Sequence, residues 1–324
     1  MHVTVFGATS LTPRPAQASD LKSTTRLAET LLTLAHEARN YKLLNANLLL
    51  LSKKHGQLKS VVQAIVELTM SWLEETRETE GTETWLEVIH ALREVTEGKV
   101  RSLFSGMTPV QSSRCRKIFL ETPRARVTLL LARYHEALSN SPTQTLPSSQ
   151  DCLQTASDLL SDLQVETYSS MERREKTEFL LEQMRLLVGV AKNKDREAKV
   201  AKENRDTGGA GAGLVDGEAE WAKVRVGGRK VNEGFLKQEE NEVREPFITC
   251  HTHHSDPWVV QHLKLKYYDL MIQYALHQTA YLDVAKHYYK IWETPSIKAD
   301  EADKGRQVGA PCPLGILSCV EVVL

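Results

Sequence analysis

The chain has 324 residues, which is enough for two ordinary domains or one elongated array of helices. Hydrophobic residues make up 41% and charged residues 26%, a balance that indicates a folded protein rather than a disordered one. The 41 basic and 42 acidic side chains give a net charge of -1, which argues against a nucleic-acid binder with a broad basic surface. The five cysteines, an odd number at irregular spacing, favour a reducing compartment.

The sequence patterns that mark membrane spans and secretion also favour a protein that stays inside the cell. The apolar run at Leu48–Leu51 is far too short to cross a bilayer. No charged segment precedes an apolar core at the N-terminus, so we expect no secretion. The chain is therefore predicted to be cytoplasmic and nuclear.

Amphipathic helices are predicted in succession from residue 19, after residues 1–18, which we treat as disordered or extraneous to the fold. Ser19 or Asp20 is placed to cap the first helix. Its predicted buried stripe is Leu27, Leu31, Leu34 and Ala38, and Asn40 ends it. The next three predicted stripes are Leu44, Leu48 and Leu51; then Val62, Ile65, Val66, Thr69 and Leu73; then Trp85, Val88, Ile89, Leu92 and Val95.

The same pattern resumes in the second half of the chain. Its predicted stripes are Val127, Leu130, Tyr134 and Leu138; Leu153, Ala156, Leu160 and Leu163; Tyr267, Leu270, Met271 and Tyr274; and Leu282, Ala285, Tyr289 and Trp292. The unit is a pair of short helices of about forty residues, within the range of helical repeats. No segment alternates like a strand. The prediction is an all-α solenoid of antiparallel helix pairs, of the TPR-like kind.

The segment Leu163–Leu187 has the most detailed helical signal. Ser169 or Ser170 is placed to cap a helix, with Glu172 completing a capping box. One face is apolar and the start of the helix is charged, which predicts a packed helix with a solvated face. The apolar face is Leu180, Met184, Leu187 and Ala191, and the charged run is Glu172, Arg173, Arg174, Glu175 and Lys176.

Several segments interrupt the helices and set the predicted domain boundaries. Residues 19–192 form the solenoid, with an inserted loop at 101–116. Residues 193–262 are a Gly-rich, charged linker that contains a second inserted loop at 247–262. Residues 263–298 form the last helix pair, and 299–324 are an atypical tail.

Metal-binding chemistry has one candidate cluster, Cys250, His251, His253 and His254. Structural zinc sites usually take two spaced pairs of ligands, so we interpret these contiguous residues as an incidental loop and predict no metal site. His262 and Cys312 are unsupported additions to this set.

The sequence matches motifs of catalytic and nucleotide-binding sites even less well than it matches a metal site. The run Gly208–Gly213 lacks the Gly-Lys-Ser/Thr ending of a phosphate loop. Val224–Lys230, VRVGGRK, adds basic charge beside two glycines and could contact a phosphate, but we interpret it as a turn before a helix that carries Val231 and Phe235. His36–Glu37 and His135–Glu136 lie on predicted helices without the spacing of a metalloprotease motif. We therefore predict no enzyme, no catalytic residue and no cofactor.

Aromatic residues concentrate in the last helix pair. Their density suits either a peptide- or RNA-binding face or, more simply, a solenoid core with a partner-facing ridge. These residues are Tyr267, Tyr268, Tyr274, Tyr281, Tyr288, Tyr289 and Trp292.

The amino-acid sequences of several segments closely resemble those of lid subunits of the proteasome regulatory particle that belong to the PCI family. The segments cover about half of the chain and follow the family order. They are Leu43–Lys59, Val95–Lys99, Arg124–Thr128, Leu163–Leu187, Lys223–Phe235 and Leu263–Lys298. In the family a winged-helix PCI module follows the last of these segments, and residues 299–324 do not resemble it.

This resemblance implies a non-catalytic scaffold for lid assembly and ubiquitin-dependent protein degradation. The partners that it implies are other lid subunits, including the deubiquitinating subunit, and neighbouring core-particle and ATPase subunits. The alternatives are a scaffold of another PCI complex, either the COP9 signalosome or a translation initiation factor, and a truncated fragment without function.

Overall fold

The computed structural model describes residues 21–53, 59–97, 118–140, 146–206, 217–236, 257–295 and 297–298. Within these ranges every regular element is helical and no residue is in a strand, which confirms the all-α prediction. The α-helices are α1 (Leu21–Glu37), α2 (Tyr41–Lys53), α3 (Lys59–Ser71), α4 (Leu73–Thr79), α5 (Thr82–Glu97), α6 (Glu121–Ser139), α7 (Leu146–Ser161), α8 (Arg173–Asp206), α9 (Glu218–Lys230), α10 (Pro257–His277) and α11 (Tyr281–Trp292). Two 3₁₀ turns lie at Ile118–Leu120 and Val165–Thr167.

The helices divide into two compact units. The first unit is Met1–Ala137 with Thr167–Met171, and it contains α1–α5 and most of α6. The second is Leu138–Glu166 with Glu172–Leu324, and it contains α7–α11. Each unit has its own buried apolar core.

The first unit is built from stacked helix pairs. Helix α1 packs on α2 and α3, and α2 packs on α5. The predicted stripes of α2, of α3 with Leu73 of α4, and of α5 are confirmed, since all of their residues are at least 96% buried. These helices bury leucine, isoleucine and valine at the helical period, and that burial is the main force that holds the pairs together.

The first stripe is wrong by one residue. Helix α1 buries Ala28, Leu32 and Ala35, whereas the exposed fraction of Leu34 is 64% and that of Leu27 is 37%. The two alanines let α2 and α3 approach closely, so the larger leucines of the predicted stripe lie on the flank. Periodicity alone favoured the leucines because they are more hydrophobic.

The second unit is centred on α8. This helix packs on α7, α9 and α10, and α10 packs on α11. The predicted face of Leu180, Met184, Leu187 and Ala191 is confirmed as buried, with Met184 wholly inaccessible. The core also contains Trp221, Val224, Val231, Leu236, Leu263, Tyr267, Tyr268 and Leu270.

The start of α8 differs from the predicted capping box. The N–H of Lys176 donates to the carbonyl oxygen of Glu172 at 2.9 Å, and the helix begins at Arg173. Ser169 and Ser170 therefore precede the helix, and the hydroxyl of Ser170 lies 3.0 Å from that of Thr122. Buried Met171 fixes the chain just before the helix, which moves the first turn beyond the serines.

The prediction of a linker at 193–262 is largely wrong, because helices occupy much of this range. Helix α8 continues to Asp206, because residues 193–206 are rich in Lys, Glu, Ala and Arg, which favour helix. Helix α9 lies within the same range and buries Trp221 and Val224. Helix α10 begins at Pro257, inside the predicted loop at 247–262, and proline suits the first position of a helix.

Other predicted segments lie partly or wholly outside the residues that the structure describes. Residues 1–18, 101–116 and 299–324 lie outside the described residues, as do residues 207–216 and 237–256 of the predicted linker. The predictions for these segments stay predictions.

Candidate interaction surface

The glycine pair in VRVGGRK is part of α9 and not a turn. A Cβ atom on Gly227 would lie 2.8 Å from Cγ of Met184, and one on Gly228 would lie 2.8 Å from Sδ of Met271. Close packing of α9 against α8 and α10 thus outweighs the weak helix propensity of glycine. The turn interpretation was wrong, and this segment forms helix contacts rather than a phosphate site.

The two histidine–glutamate pairs take part in packing. The ring of His36 stacks on Trp72 with 4.4 Å between centroids. Burial lowers the pKa of His135, and the nearby charges of His90 and Arg93 lower it further. Both histidines therefore have environments explained by their neighbours on packed helices.

The predicted metal cluster and glycine loop cannot be placed. Cys250, His251, His253, His254 and the loop Gly208–Gly213 lie outside the described residues. Among the residues that the structure does describe, no group of three or more His, Cys, Asp or Glu side chains is arranged to hold a metal.

A polar cluster joins α8, α9 and α10 in the second unit. The indole N–H of Trp221 donates to Oδ2 of Asp195 at 2.8 Å, and the ring stacks on His277 with 4.5 Å between centroids. The His277 ring nitrogen Nε2 lies 3.6 Å from the same carboxylate oxygen. Each of these groups has a partner and none has the geometry of a nucleophile with a base, so the cluster fixes helices together.

Tyr267 is a second buried polar group in this unit. Its hydroxyl lies 3.3 Å from both the carbonyl oxygen of Gly228 and Oε1 of Glu233. Burial and the Glu233 carboxylate raise the pKa of Tyr267 well above its usual value, so it is a neutral hydrogen-bond donor. It ties α10 to the end of α9.

A cavity of about 280 Å³ lies between α7 and α8. Asp151, Lys194 and Glu197 are among the residues that line it. Its wall mixes charges of both signs with the apolar side chains of Leu153 and Val190. We assign it no ligand.

The aromatic residues of the last helix pair separate into two groups. Tyr267 and Tyr268 on α10 are buried in the core. On α11 the exposed fractions are 66% for Tyr281, 56% for Tyr289 and 43% for Trp292. The last helix pair therefore combines a buried core with exposed rings, and the prediction that these rings face a partner stays a prediction.

We define the α11 face by the residues on the outward side of that helix. At 100° per residue they share an arc of about 120°. They are Tyr281, Leu282, Ala285, Tyr288, Tyr289 and Trp292. The predicted buried stripe of Leu282, Ala285, Tyr289 and Trp292 lies on this face, so it was wrong: α11 turns Val284, His287 and Ile291 towards α10, and none of its residues is fully buried.

Charged side chains border the α11 face on one flank and are paired with one another. Lys286 contacts Asp283 at 2.9 Å, and Lys290 contacts Glu293 at 2.7 Å. The hydrogen bond from Lys286 lowers the pKa of Asp283, so this carboxylate is ionised at neutral pH. Both acids and both bases of this flank are paired, and Nζ of Lys298 lies 5.0 Å from the centroid of the Trp292 ring, so a further cation borders the face.

A second apolar surface lies on α1. Leu27 and Leu34 are exposed on the flank of the helix beside its buried residues, with partly buried Leu31 between them. Leu27 and Leu34 are seven residues, or two turns, apart, so α1 leaves a narrow apolar strip exposed. No described helix is long and apolar enough to cross a membrane.

Comparison with known proteins assigns the family. The family model described as PSMD12/CSN4, N-terminal, matches residues 8–102 and 109–300. The chain belongs to this family. The interruption at residues 103–108 falls inside the predicted insertion at 101–116.

Curated relatives carry proteasome names. The chain is 29% identical over 284 residues to 26S proteasome non-ATPase regulatory subunit 12 of Dictyostelium discoideum, with 88% of this chain and 46% of the relative covered. It is 30% identical over 292 residues to 26S proteasome regulatory subunit RPN5 of Saccharomyces cerevisiae, with 90% and 48% covered. For non-ATPase regulatory subunit 12 homolog B of Arabidopsis thaliana the identity is 28%, with 87% and 51% covered. The chain thus spans about half the length of the curated relatives it matches.

Proposed function

We propose that this chain is a non-catalytic scaffold subunit of the lid of the 26S proteasome regulatory particle. The observation that carries the proposal is the match to proteasome regulatory subunits along nearly nine-tenths of the chain. The proposed role is to support lid assembly and ubiquitin-dependent protein degradation in the cytoplasm and nucleus. The proposed partners are other lid subunits, including the deubiquitinating subunit, and neighbouring core-particle and ATPase subunits.

The geometry suits a scaffold because stacked helix pairs give a long surface at low folding cost. The polar groups of the second-unit core are engaged in fixing α8, α9 and α10. Large apolar side chains are exposed in groups on α1 and α11, where a partner subunit can bury them together, and singly on α2, α8, α9 and α10. A net charge of -1 means that such contacts depend on apolar anchors rather than on general electrostatic attraction.

One other complex is favoured by a specific observation. The matching family model bears the name CSN4 beside PSMD12 and so also covers a COP9 signalosome subunit. The proteasome names of the relatives in four organisms favour the lid over the signalosome.

The test is to identify the complex that co-purifies with the tagged full chain from cells under native conditions. Quantitative mass spectrometry should recover lid subunits in amounts similar to the chain. A set of signalosome subunits, or no regulatory-particle subunit at all, contradicts the proposal.

Two surface variants test whether the exposed leucines of α1 contribute to binding lid subunits. Leu34→Asp on the α1 surface should reduce the recovery of lid subunits, because it places a charge in an apolar contact. Leu50→Asp on α2 is the matched control, since Leu50 is 48% exposed in the same unit. Equal loss with both variants would mean that the α1 surface has no special role.

A further inference from the structure

The exposed side of α9 carries four basic residues. Trp221, Val224 and Gly228 lie on the opposite side of the helix, where they are buried. At 100° per residue the exposed residues share an arc of about 160°. We name this surface the α9 basic face, and its residues are Glu218, Ala219, Ala222, Lys223, Arg225, Val226, Arg229 and Lys230.

The α9 basic face has an apolar centre between two positively charged edges. The residues of the centre are Ala219, Ala222 and Val226, and the exposed fraction of Val226 is 52%. The residues of the edges are Arg225 and Arg229 on one side and Lys223 and Lys230 on the other. The face therefore offers apolar surface and positive charge together.

Three of the four cations have no acidic partner. Nζ of Lys230 lies 2.7 Å from Oε1 of Glu166. Lys223, Arg225 and Arg229 form no ion pair with any residue that the structure describes. Most of the positive charge on this face is therefore left for a group outside the described helices.

The spacing of the charges on α9 is unfavourable for the isolated helix. On α8, by contrast, Nε of Arg174 lies 3.1 Å from the carboxylate of Glu178, one turn away. The residue one turn after Arg225 is Arg229, and like charges at this spacing repel. Glu218 precedes Arg225 by seven residues, about 10 Å along the helix axis, and is too distant to relieve the repulsion. An acidic partner would remove it.

We propose that the α9 basic face binds an acidic amphipathic helix of a partner protein. The apolar residues of that helix contact the centre of the face, and its Asp and Glu side chains pair with the cations at both edges. Charges that border an apolar contact between two helices determine which partner is accepted. The inference goes beyond the proposed function, because it does not depend on which complex the chain joins.

The size and chemistry of the face favour a protein over a nucleic acid. Helix α9 has 13 residues and is about 20 Å long, and the net charge of the chain is -1. Nucleic-acid binding depends on many phosphate contacts along an extended basic surface. A phosphate backbone also has no apolar side chain to cover Val226, whereas an acidic amphipathic helix supplies both kinds of contact.

The first experiment measures binding of synthetic fluorescein-labelled peptides to the full chain by fluorescence anisotropy. The test peptide has two heptads with leucine at the first and fourth positions and glutamate at the fifth and seventh. A peptide of the same composition in scrambled order is the control. The test peptide should bind at least about tenfold more tightly than the scrambled one. Its affinity should fall by at least about tenfold between 100 mM and 1 M salt, since the Debye length falls from about 10 Å to about 3 Å.

Two matched pairs of variants locate the binding. Arg225→Glu with Arg229→Glu should weaken binding at least about tenfold, because two attractions become repulsions. Lys22→Glu with Arg26→Glu on α1 is the control, since these two exposed cations have the same spacing and the change in net charge is equal.

Val226→Asp should also weaken binding, because it places an acid in the apolar centre of the face. Val200→Asp on α8 is its control, since Val200 is 55% exposed in the same unit. Circular dichroism of each variant must show wild-type helix content, so that unfolding is not mistaken for lost binding.

Several results of the peptide experiment overturn the inference. They are equal binding of the two peptides, binding that does not respond to salt, and equal weakening by the α1 and α9 charge variants. Binding of a fourteen-nucleotide oligouridine as tight as that of the test peptide, and lost with Arg225→Glu and Arg229→Glu, would mean that the face binds RNA.

The second experiment identifies the natural occupant by photo-crosslinking from p-benzoylphenylalanine at position 226. In cells, an adduct whose sequenced partner segment is acidic and has apolar residues at helical spacing supports the inference. The same residue at position 200 should not give this adduct. A ribonuclease-sensitive adduct, a partner segment without acidic residues, or no adduct overturns it. In the purified chain, an intramolecular adduct to residues 237–245, KQEENEVRE, would mean that the chain covers the face itself.

The two proposals fail separately. Absence of lid subunits from the tagged chain in cells contradicts the proposed function and leaves binding of the acidic peptide to α9 intact. Loss of specific peptide binding, with lid subunits still recovered, overturns only the inference about the α9 basic face.

Discussion

The closest backbone approach among the described glycines tests the packing of the second unit. A Cβ atom on Gly217 would lie 2.7 Å from the backbone oxygen of Ala191 and 2.6 Å from Oδ1 of Asp195. A flexible side chain can move away from such a contact, but the backbone of α8 cannot. We therefore expect Gly217→Ala to push the start of α9 away from α8.

The expected cost follows from overpacking and from the hydrogen bond nearby. Overpacking of a closely packed contact destabilises by about 1–3 kcal/mol. Displacement of Asp195 also weakens its 2.8 Å hydrogen bond from Trp221, so the upper part of that range applies. We expect the free energy of unfolding to fall by about 2–3 kcal/mol, which corresponds to a melting temperature lower by about 5–8 °C.

Gly189→Ala is the control, because it adds the same methyl group where there is room. The nearest atom to its Cβ would be Cδ2 of Leu153 at 3.6 Å, an ordinary contact. Alanine is the better helix former, so this variant should be about 0.5–1 kcal/mol more stable than wild type.

The assay is urea unfolding followed by circular dichroism, with hydrogen exchange to locate the change. Gly217→Ala should speed exchange of amides in α9 and the facing part of α8, and Gly189→Ala should not. If both glycine variants have the stability of wild type, α9 does not lie against α8 as described and the argument fails.

Three further predictions use the same measurements. Leu32→Ala should cost about 2–4 kcal/mol of unfolding free energy because it opens a cavity, whereas Leu34→Ala, at an exposed position, should stay within about 0.5 kcal/mol. Trp221→Phe should lower the free energy of unfolding by about 1–3 kcal/mol, since Asp195 loses a hydrogen bond. Tyrosine fluorescence and circular dichroism should show that the second unit unfolds at a lower urea concentration. His135 has a lowered pKa in the folded chain, so its unfolded form binds a proton first as the pH falls below about 6.5, and stability declines there. Replacing it by glutamine should reduce the loss of stability between pH 7.5 and 5.5; an unchanged slope would contradict this.

The sequence predicted the parts of the fold where apolar periodicity is unambiguous. Leu44, Leu48 and Leu51 of α2 are buried as expected, and so is the face of α8 around Met184. In these helices one face is apolar and the other is polar, so only one orientation buries hydrophobic surface. Asn40 ends α1 and then caps α2 by accepting the N–H of Leu43 at 3.1 Å, as its side chain allows.

The linker was predicted wrongly because its glycines and charged residues were interpreted as signs of irregular structure. Gly227 and Gly228 suggested a turn, yet Met184 and Met271 occupy the space that larger residues would need. The charged residues of 193–206 suggested a linker, yet they are also good helix formers that extend α8. In both cases the decisive information is the neighbouring helix, which a local pattern does not contain.

The errors at α1 and α11 have a common cause that bears on function. Both helices carry large apolar residues on two sides, so periodicity finds a stripe without showing which side meets the core. In α1 the core side takes Ala28, Leu32 and Ala35, and in α11 it takes partly buried Val284 and Ile291. Leu27 and Leu34 of α1 and the aromatic residues of the α11 face are left exposed, at an energetic disadvantage that a partner covering them would remove. A helix whose strongest apolar stripe points outward is therefore better explained by assembly than by its own fold, and in this chain that reasoning applies most strongly to the aromatic α11 face.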